Sequence, residues 1–379
     1  MTKTVRTLLA FFLITTLNYS YAADKLRFIG DVTFPTGEMF AKTEIGGLSG
    51  IAYDKNKKRM LAVSDDKSLV NETRFYEFDI SLTEKSFSVK PAVVVRLKNK
   101  AGNFFKKGEA DFEGIALYGN DVLISSEGAI NRTKPTPPEL YRFNRMGDFV
   151  GMISIPEKFL LPRKEHTDKL YGSRDNHSFE ALSTSLDGKT TYMGSEEALF
   201  QDGPITTISY SSHTRIILYK DLKPTTEIAY QLDKVEAIKA AVGTEKSEEK
   251  ADLTTGENGL VDIAAVDDKT FYTMERSWIP FINKNVIRIF KCTVTDKTTD
   301  ISKMESLKDQ SFVAVEKELV ADLDDFIPQM TIKELDNIEG IAFGPVLANG
   351  NRSLVVVSDN NFGKTQRTLF MAFELISSK

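Results

Sequence analysis

The sequence predicts an all-β chain, a β-propeller of five four-stranded blades closed by its N-terminal strand. Three observations lead there. A hairpin-like phrase recurs five times. Each copy is followed by further strand-length apolar runs. And the chain carries an early strand with no hairpin partner of its own.

The phrase reads "GGLSGIAYDKNKKRMLAVSDD" (46–66), "DFEGIALYGNDVLISSEG" (111–128), "SFEALSTSLDGKTTYMGSEE" (178–197), "GLVDIAAVDDKTFYTMER" (259–276) and "NIEGIAFGPVLANGNRSLVVVSDN" (337–360). A small or acidic residue leads a short apolar run, turn residues follow, and a second apolar run ends near an acid. The turns are Asp54-Lys55-Asn56, Gly119-Asn120-Asp121, Asp187-Gly188, Asp267-Asp268 and Asn349-Gly350. Asn, Asp and Gly tolerate the positive φ of tight hairpin turns, so each phrase predicts two antiparallel strands.

Third strands are predicted at "RFYEFDI" (74–80), "ELYRFN" (139–144), "TRIILYKDL" (214–222), "VIRIFKCTV" (286–294) and "RTLFMAFEL" (367–375). Fourth strands fit "PAVVVRL", "VGMISIP", "TEIAYQL" and "SFVAVEKEL". The last repeat lacks a fourth, and "KLRFIGDVTF" (25–34) is placed to supply it. A sixth blade is allowed only if the connection 223–258 holds a divergent repeat; its charged stretch 235–259 reads instead as a loop after a short helical start. Insertions at 156–177 and 322–336 are expected to fold over one face.

Lys3 and Arg6, an apolar stretch from Leu8 to Leu17 and then Ser20-Tyr21-Ala22 have the pattern of a secretory signal peptide over residues 1–22. The expected mature domain is 23–379, exported to the periplasm or beyond, with no membrane span. Its net charge falls from −5 to −7 without Lys3 and Arg6, and no basic block is present, which argues against nucleic acid as a partner. Cys292 is the single cysteine, which excludes an internal disulfide and a cysteine metal site. His166, His177 and His213 lack metal-pair spacing, and no nucleophile elbow or phosphate-binding glycine loop occurs.

In an antiparallel hairpin the start of strand one lies beside the end of strand two. This predicts Glu113 near Glu127, Glu180 near Glu196, Asp262 near Glu275 and Glu339 near Asp359; in the first repeat Ser49 leads and Asp65 and Asp66 trail. Rotation about a propeller axis puts all of them at one mouth. Crowded carboxylates need bound cations, basic partners or raised pKa values. Oxygen-only ligands suit a hard ion such as calcium. Arg174 and Arg276 are candidate phosphate binders, and Asn176 and His177 lie closest to the acidic ends. The opposing structural reading is that each leading acid accepts backbone N–H groups and fixes blade packing.

These residues also resemble the phytase-like esterase family, exported bacterial proteins with an esterase-like activity of phytase. The resemblance covers roughly 45–375 and is densest in "SRDNHSFEALSTSLDGKTTYMGSEEAL" (173–199), where Arg174, Asn176, Glu180, Asp187, Gly188 and Glu196 match. Ala181, Ser183 and Ser49 depart from the family pattern. The resemblance implies phosphoester hydrolysis by acidic residues, assisted by calcium. The expected assignment is therefore Glu180, Glu113 and Glu339 as catalytic acids; Arg174, Asn176, His177 and Arg276 on the substrate; and Asp65, Glu127, Glu196, Asp262, Glu275 and Asp359 on the metal. The expected partner is a small phosphate ester or other small ligand, bound by a monomer. The alternative is a non-catalytic ligand- or protein-binding propeller of the cell envelope.

Overall fold

The computed structural model describes residues 23–128, 135–160, 171–235 and 256–377. The expected signal peptide, His166 and most of the charged connection before Gly256 lie outside them. Five four-stranded antiparallel sheets are present among the described residues, with one two-stranded ribbon at Met39–Phe40 and Thr43–Glu44. The innermost strands are Leu48–Asp54, Phe112–Tyr118, Phe179–Thr184, Glu257–Ala265 and Asn337–Phe343, one per blade in chain order. The fifth blade is completed by Lys25–Pro35, which pairs along Arg367–Ile376. The residues from 223 on form the fourth strand of blade three, Lys223–Gln231, so no sixth sheet starts there. One strand is displaced from expectation: the fourth of blade four is Glu316–Asp322, so "SFVAV" precedes it as loop.

Five of the hydrophobic clusters each lie between two neighbouring blades. Blade one meets blade two through Leu61, Val63, Phe75, Phe112 and Ile124. Blades three and four meet through Tyr192, Ile216, Leu260 and Phe271, and blades five and one through Tyr76, Phe78, Val355 and Phe370. Both faces of each sheet are thus covered, which explains why the inner strands read as near-continuous apolar runs. Sheets of this kind are stable only as a closed ring. Cys292 belongs to one such seam, and burial pushes its thiol up to about 12, so it is a packing residue.

Each inner strand carries a register shift near the start of its apolar run, for example between Phe179 and Ala181 and between Ile338 and Gly340. The shifted residues are Ser49, Glu113, Glu180, Val261 and Glu339. The next position is small in four blades, Gly50, Gly114, Ala181 and Gly340. A Cβ on Gly50 would lie 2.5 Å from the Glu113 carbonyl oxygen, and one on Gly114 2.4 Å from that of Glu180. Neighbouring inner strands therefore touch backbone to backbone at the axis.

In blade four the small position is Asp262. Its carboxylate accepts the backbone N–H of Leu182 from blade three at 3.3 Å, of Ile341 from blade five at 2.8 Å and of Ile263 at 2.8 Å. An innermost strand has one edge without a partner strand, and its N–H groups must bond something. Asp262 supplies that something for three blades at once. Replacing Asp262 with alanine is expected to lower stability by roughly 3 kcal/mol or more, because it strands buried donors. A fall of several degrees in the thermal midpoint, read by circular dichroism, checks this; an unchanged midpoint would remove the tie.

Candidate active site at the acidic mouth

The shifted residue and one residue near the end of the second strand share one end of each blade. The trailing positions are Asp65, Glu127, Glu196, Arg276 and Asp359, each directly following the partner of the last residue before the shift. Seven of the predicted acids therefore meet at one mouth: Asp65, Glu113, Glu127, Glu180, Glu196, Glu339 and Asp359. Asp66 instead accepts the N–H groups of Leu69, Val70 and Asn71 and pairs with Arg74.

Blade four corrects the other two. Leu260, not Asp262, pairs with Glu275, so the repeat is shifted by one residue from the expected alignment. Val261 takes the leading position and Arg276 the trailing one. Asp262 sits on the axis below the mouth with its three backbone donors. Glu275 points into the seam between blades three and four. There its carboxylate accepts from the Tyr230 hydroxyl at 2.6 Å, the Asn258 amide at 2.6 Å, the Asp233 N–H at 3.1 Å and the Lys317 ammonium at 2.5 Å. A carboxylate so used is not part of the mouth. Arg174 is also elsewhere: its guanidinium donates to the carbonyls of Ala198 and Gly203 and lies 4.3 Å from the centre of the Phe200 ring. Asn176 is an exposed turn residue with φ +56°.

The mouth's basic residues are few. Arg276 places Nη2 3.5 Å from Glu196 and Nε 3.5 Å from Glu339. Lys67 places its ammonium 2.6 Å from Asp111. His177 Nδ1 lies 2.9 Å from Glu196 Oε2, and Nε2 lies 3.8 Å from Glu257. Burial opposes the charge of His177, but the Glu196 hydrogen bond and nearby carboxylates outweigh it and raise its pKa to about 9. Asp111, Lys67 and Glu257 were not singled out in the sequence. Asp111 opens the second phrase, directly before its first strand residue, and was legible there; Lys67 and Glu257 carried no local signal.

Two carboxylate groups stand out. Ligand oxygens of Asp111, Glu113 and Glu127 lie within 4.8 Å of one another, and so do those of Glu127, Glu180 and Glu196. Glu127 belongs to both and also accepts the Ser178 N–H at 2.7 Å. Glu196 fits beside the next blade because residue 259 is glycine: a Cβ there would meet Glu196 Cγ at 2.4 Å. Among the described residues, Glu113, Glu180 and Glu339 accept no backbone N–H from a neighbouring blade, and Glu180 Oε2 is buried with no hydrogen-bond partner. Burial first, and neighbouring carboxylates second, lift Asp65, Glu113, Glu180 and Asp359 well above the usual carboxylate range. The same causes push Glu127 up to about 8.

One wall rises above the rest. The inner hairpin of blade four continues past Leu260 through Gly259↔Arg276, Asn258↔Ser277 and Glu257↔Trp278. Residues two apart share a sheet face. Trp278, the only tryptophan, is therefore on the face that carries Arg276, beside the Glu257 that approaches His177.

With this geometry in hand, the chain matches the family described as "Phytase-like: Esterase-like activity of phytase" over residues 43–362. The chain belongs to the phytase-like family. An uncharacterized secreted protein of Arthroderma benhamiae is 27% identical over 122 residues, a match that covers 27% of this chain. This phytase-like chain spans about a quarter (24%) of the length of that curated relative. Among solved structures it is similar to an endo-arabinase from Bacteroides thetaiotaomicron, at TM-score 0.43 and 10% identity over 92% of this chain and 98% of that one. It is also similar to an α-L-arabinanase from Penicillium chrysogenum complexed with arabinobiose, at TM-score 0.41 and 9% identity over 93% and 98%. Among the described residues no helix is long and apolar enough to cross a membrane.

The raised carboxyl pKa values set the sign of a pH effect. A carboxylate whose folded pKa exceeds its unfolded value binds more protons when folded, so stability falls as pH rises between the two. For Glu127 that window runs from its ordinary 4.5 to about 8. In EDTA the thermal midpoint is therefore expected to fall between pH 5 and 8. A midpoint that rises over that interval would show the acids to be compensated already.

Proposed function

We propose that this protein is an exported hydrolase of phosphate esters, working as a monomer on a small substrate through a calcium-binding acidic mouth. What supports this is the buried Glu180 oxygen without a partner, set among Glu127, Glu196 and Arg276 in a phytase-like fold. The donor set fits calcium: it is all oxygen, it converges, and two basic side chains and one histidine do not balance it. Glu127, Glu196, Asp65 and Asp359, with Asp111 and Glu113, are the residues that would hold the ion. A calcium ion held there would neutralise crowded charge and would polarise a phosphoryl oxygen.

The chain's own residues do the rest. Arg276 already faces two carboxylates and offers N–H donors to a phosphoryl oxygen. Glu180 is the group best placed to orient a water and take its proton, because its second oxygen has no other duty. Glu339 is held by the Asn337 amide at 2.8 Å and steers Arg276. His177, protonated below about 9, holds Glu196 in place and offers its second N–H toward the mouth. Export is supported by the leader pattern of residues 1–22. A non-catalytic binding propeller is the second reading. It is favoured by Glu127 and Asp359, whose carboxylates already accept the N–H of Ser178 and of Asn361.

Adding calcium after EDTA is expected to raise the thermal midpoint by several degrees, the effect of about 2.7 kcal/mol at a hundredfold excess over Kd. Glu180→Gln is expected to lower kcat on 4-nitrophenyl phosphate by about a hundredfold or more with the midpoint kept. Fluorescence of Trp278 should change when phenylphosphonate binds. A fluorescence change without turnover by the wild-type protein would leave the binding propeller standing. Absence of both turnover and a calcium shift would end the phosphoesterase reading.

A further inference from the structure

The opposite end of the axis holds a second site. A cavity of about 1030 Å³ opens between the inner hairpin turns, far from the acids. Ile51, Ile115, Leu117, Ala265, Ala342 and Phe343 form the apolar part of its wall, and Ser183 and Thr184 add hydroxyl groups. The axial contacts at Gly50 and Gly114 and the Asp262 tie lie between this cavity and the mouth, so the two do not share a floor.

The rim has the reverse charge of the mouth. Lys55, Lys57, Lys58, Arg145 and Arg352 line the cavity, against Asp54 and Asp187. Lys57 and Arg145 are engaged by Glu77, and Arg145 also by Asp54. Lys55, Lys58 and Arg352 are exposed, and no ion pair joins them to another described residue. Val346 stands on the same rim, 62% exposed. An excess of positive charge around an apolar hollow, in a chain of net charge −5, is complementary to one ligand chemistry.

We propose that this cavity binds a soluble amphipathic anion, its apolar body in the hollow and its carboxylate or phosphate head on Lys55, Lys58 and Arg352. The volume matches that of pockets that enclose ligands of a few hundred daltons. The site is independent of the acidic mouth and of what the mouth does.

Isothermal titration of the full mature protein with dodecanoate tests it, with dodecyl maltoside as the uncharged comparison. Saturable binding of dodecanoate and little heat from the maltoside are expected. The triple variant K55E/K58E/R352E changes only exposed residues and is expected to weaken binding about tenfold or more. Leu117→Glu, at the half-buried wall, is expected to weaken it as well, and Glu180→Gln at the mouth to leave it unchanged. Equal binding of the two amphiphiles would overturn the proposal, as would a triple variant that binds like the wild type. Binding to phosphatidylglycerol vesicles but not to dodecanoate would also overturn it, because the face would then meet a membrane surface.

Discussion

The structure depends on how the free edges of five innermost strands are satisfied. Every blade ends its hydrogen-bonding ladder at the axis, where no further strand follows. Two devices solve this. Small residues let the edges approach until one strand's carbonyl meets the next strand's Cα, as at Gly50 and Gly114. Where the fourth blade would break the pattern, the Asp262 carboxylate takes up donors from blades three, four and five. The narrow axis that results fixes how close the first residues of neighbouring blades must stand. Glutamates at that position are crowded by geometry, not by local attraction.

That crowding explains the electrostatics of the mouth. Seven acids share one end with Lys67 and Arg276 as the fixed cations, and burial makes the charges of Glu113 and Glu180 harder to keep. Elsewhere the protein handles buried charge differently. Asp66 is fully used by the N–H groups of Leu69, Val70 and Asn71 and by Arg74. Arg215 is matched by Asp202 and Glu227. Glu275 has four donors. The contrast is between acids with complete shells, which hold blades and loops, and Glu180, which keeps a buried oxygen unpartnered.

The hairpins were legible because turn chemistry and apolar runs repeat five times, and ring closure was legible because one blade lacked a strand. The one-residue slip in blade four was not. "GLVDIAAV" offers an acid before an Ile-Ala run, as the other copies do, and only the ladder Leu260↔Glu275 shows that Val261 is the counterpart of Glu180. The slip changes the chemistry. It moves two acids out of the mouth and puts Arg276 into it. Arg174 matched the family pattern by position, yet its direction depends on carbonyls at Ala198 and Gly203, in a loop whose path no local pattern encodes. Lys67 and Asp111 meet across a blade seam, and such pairings follow from the ring, not from spacing along the chain.

The last seam of the ring is not covalent. Arg27 on the first strand reaches Glu374 on the final one, 347 residues away along the chain, and the two strands pair from Lys25↔Ile376 to Pro35↔Arg367. Until that strand docks, Arg367–Ile376 presents an open ladder to any strand that fits it. The strand that fits it best is carried by every other copy of the same protein. Concentrated chains that refold together therefore have a built-in route to exchanged dimers, in which each molecule's first strand completes its neighbour's fifth blade.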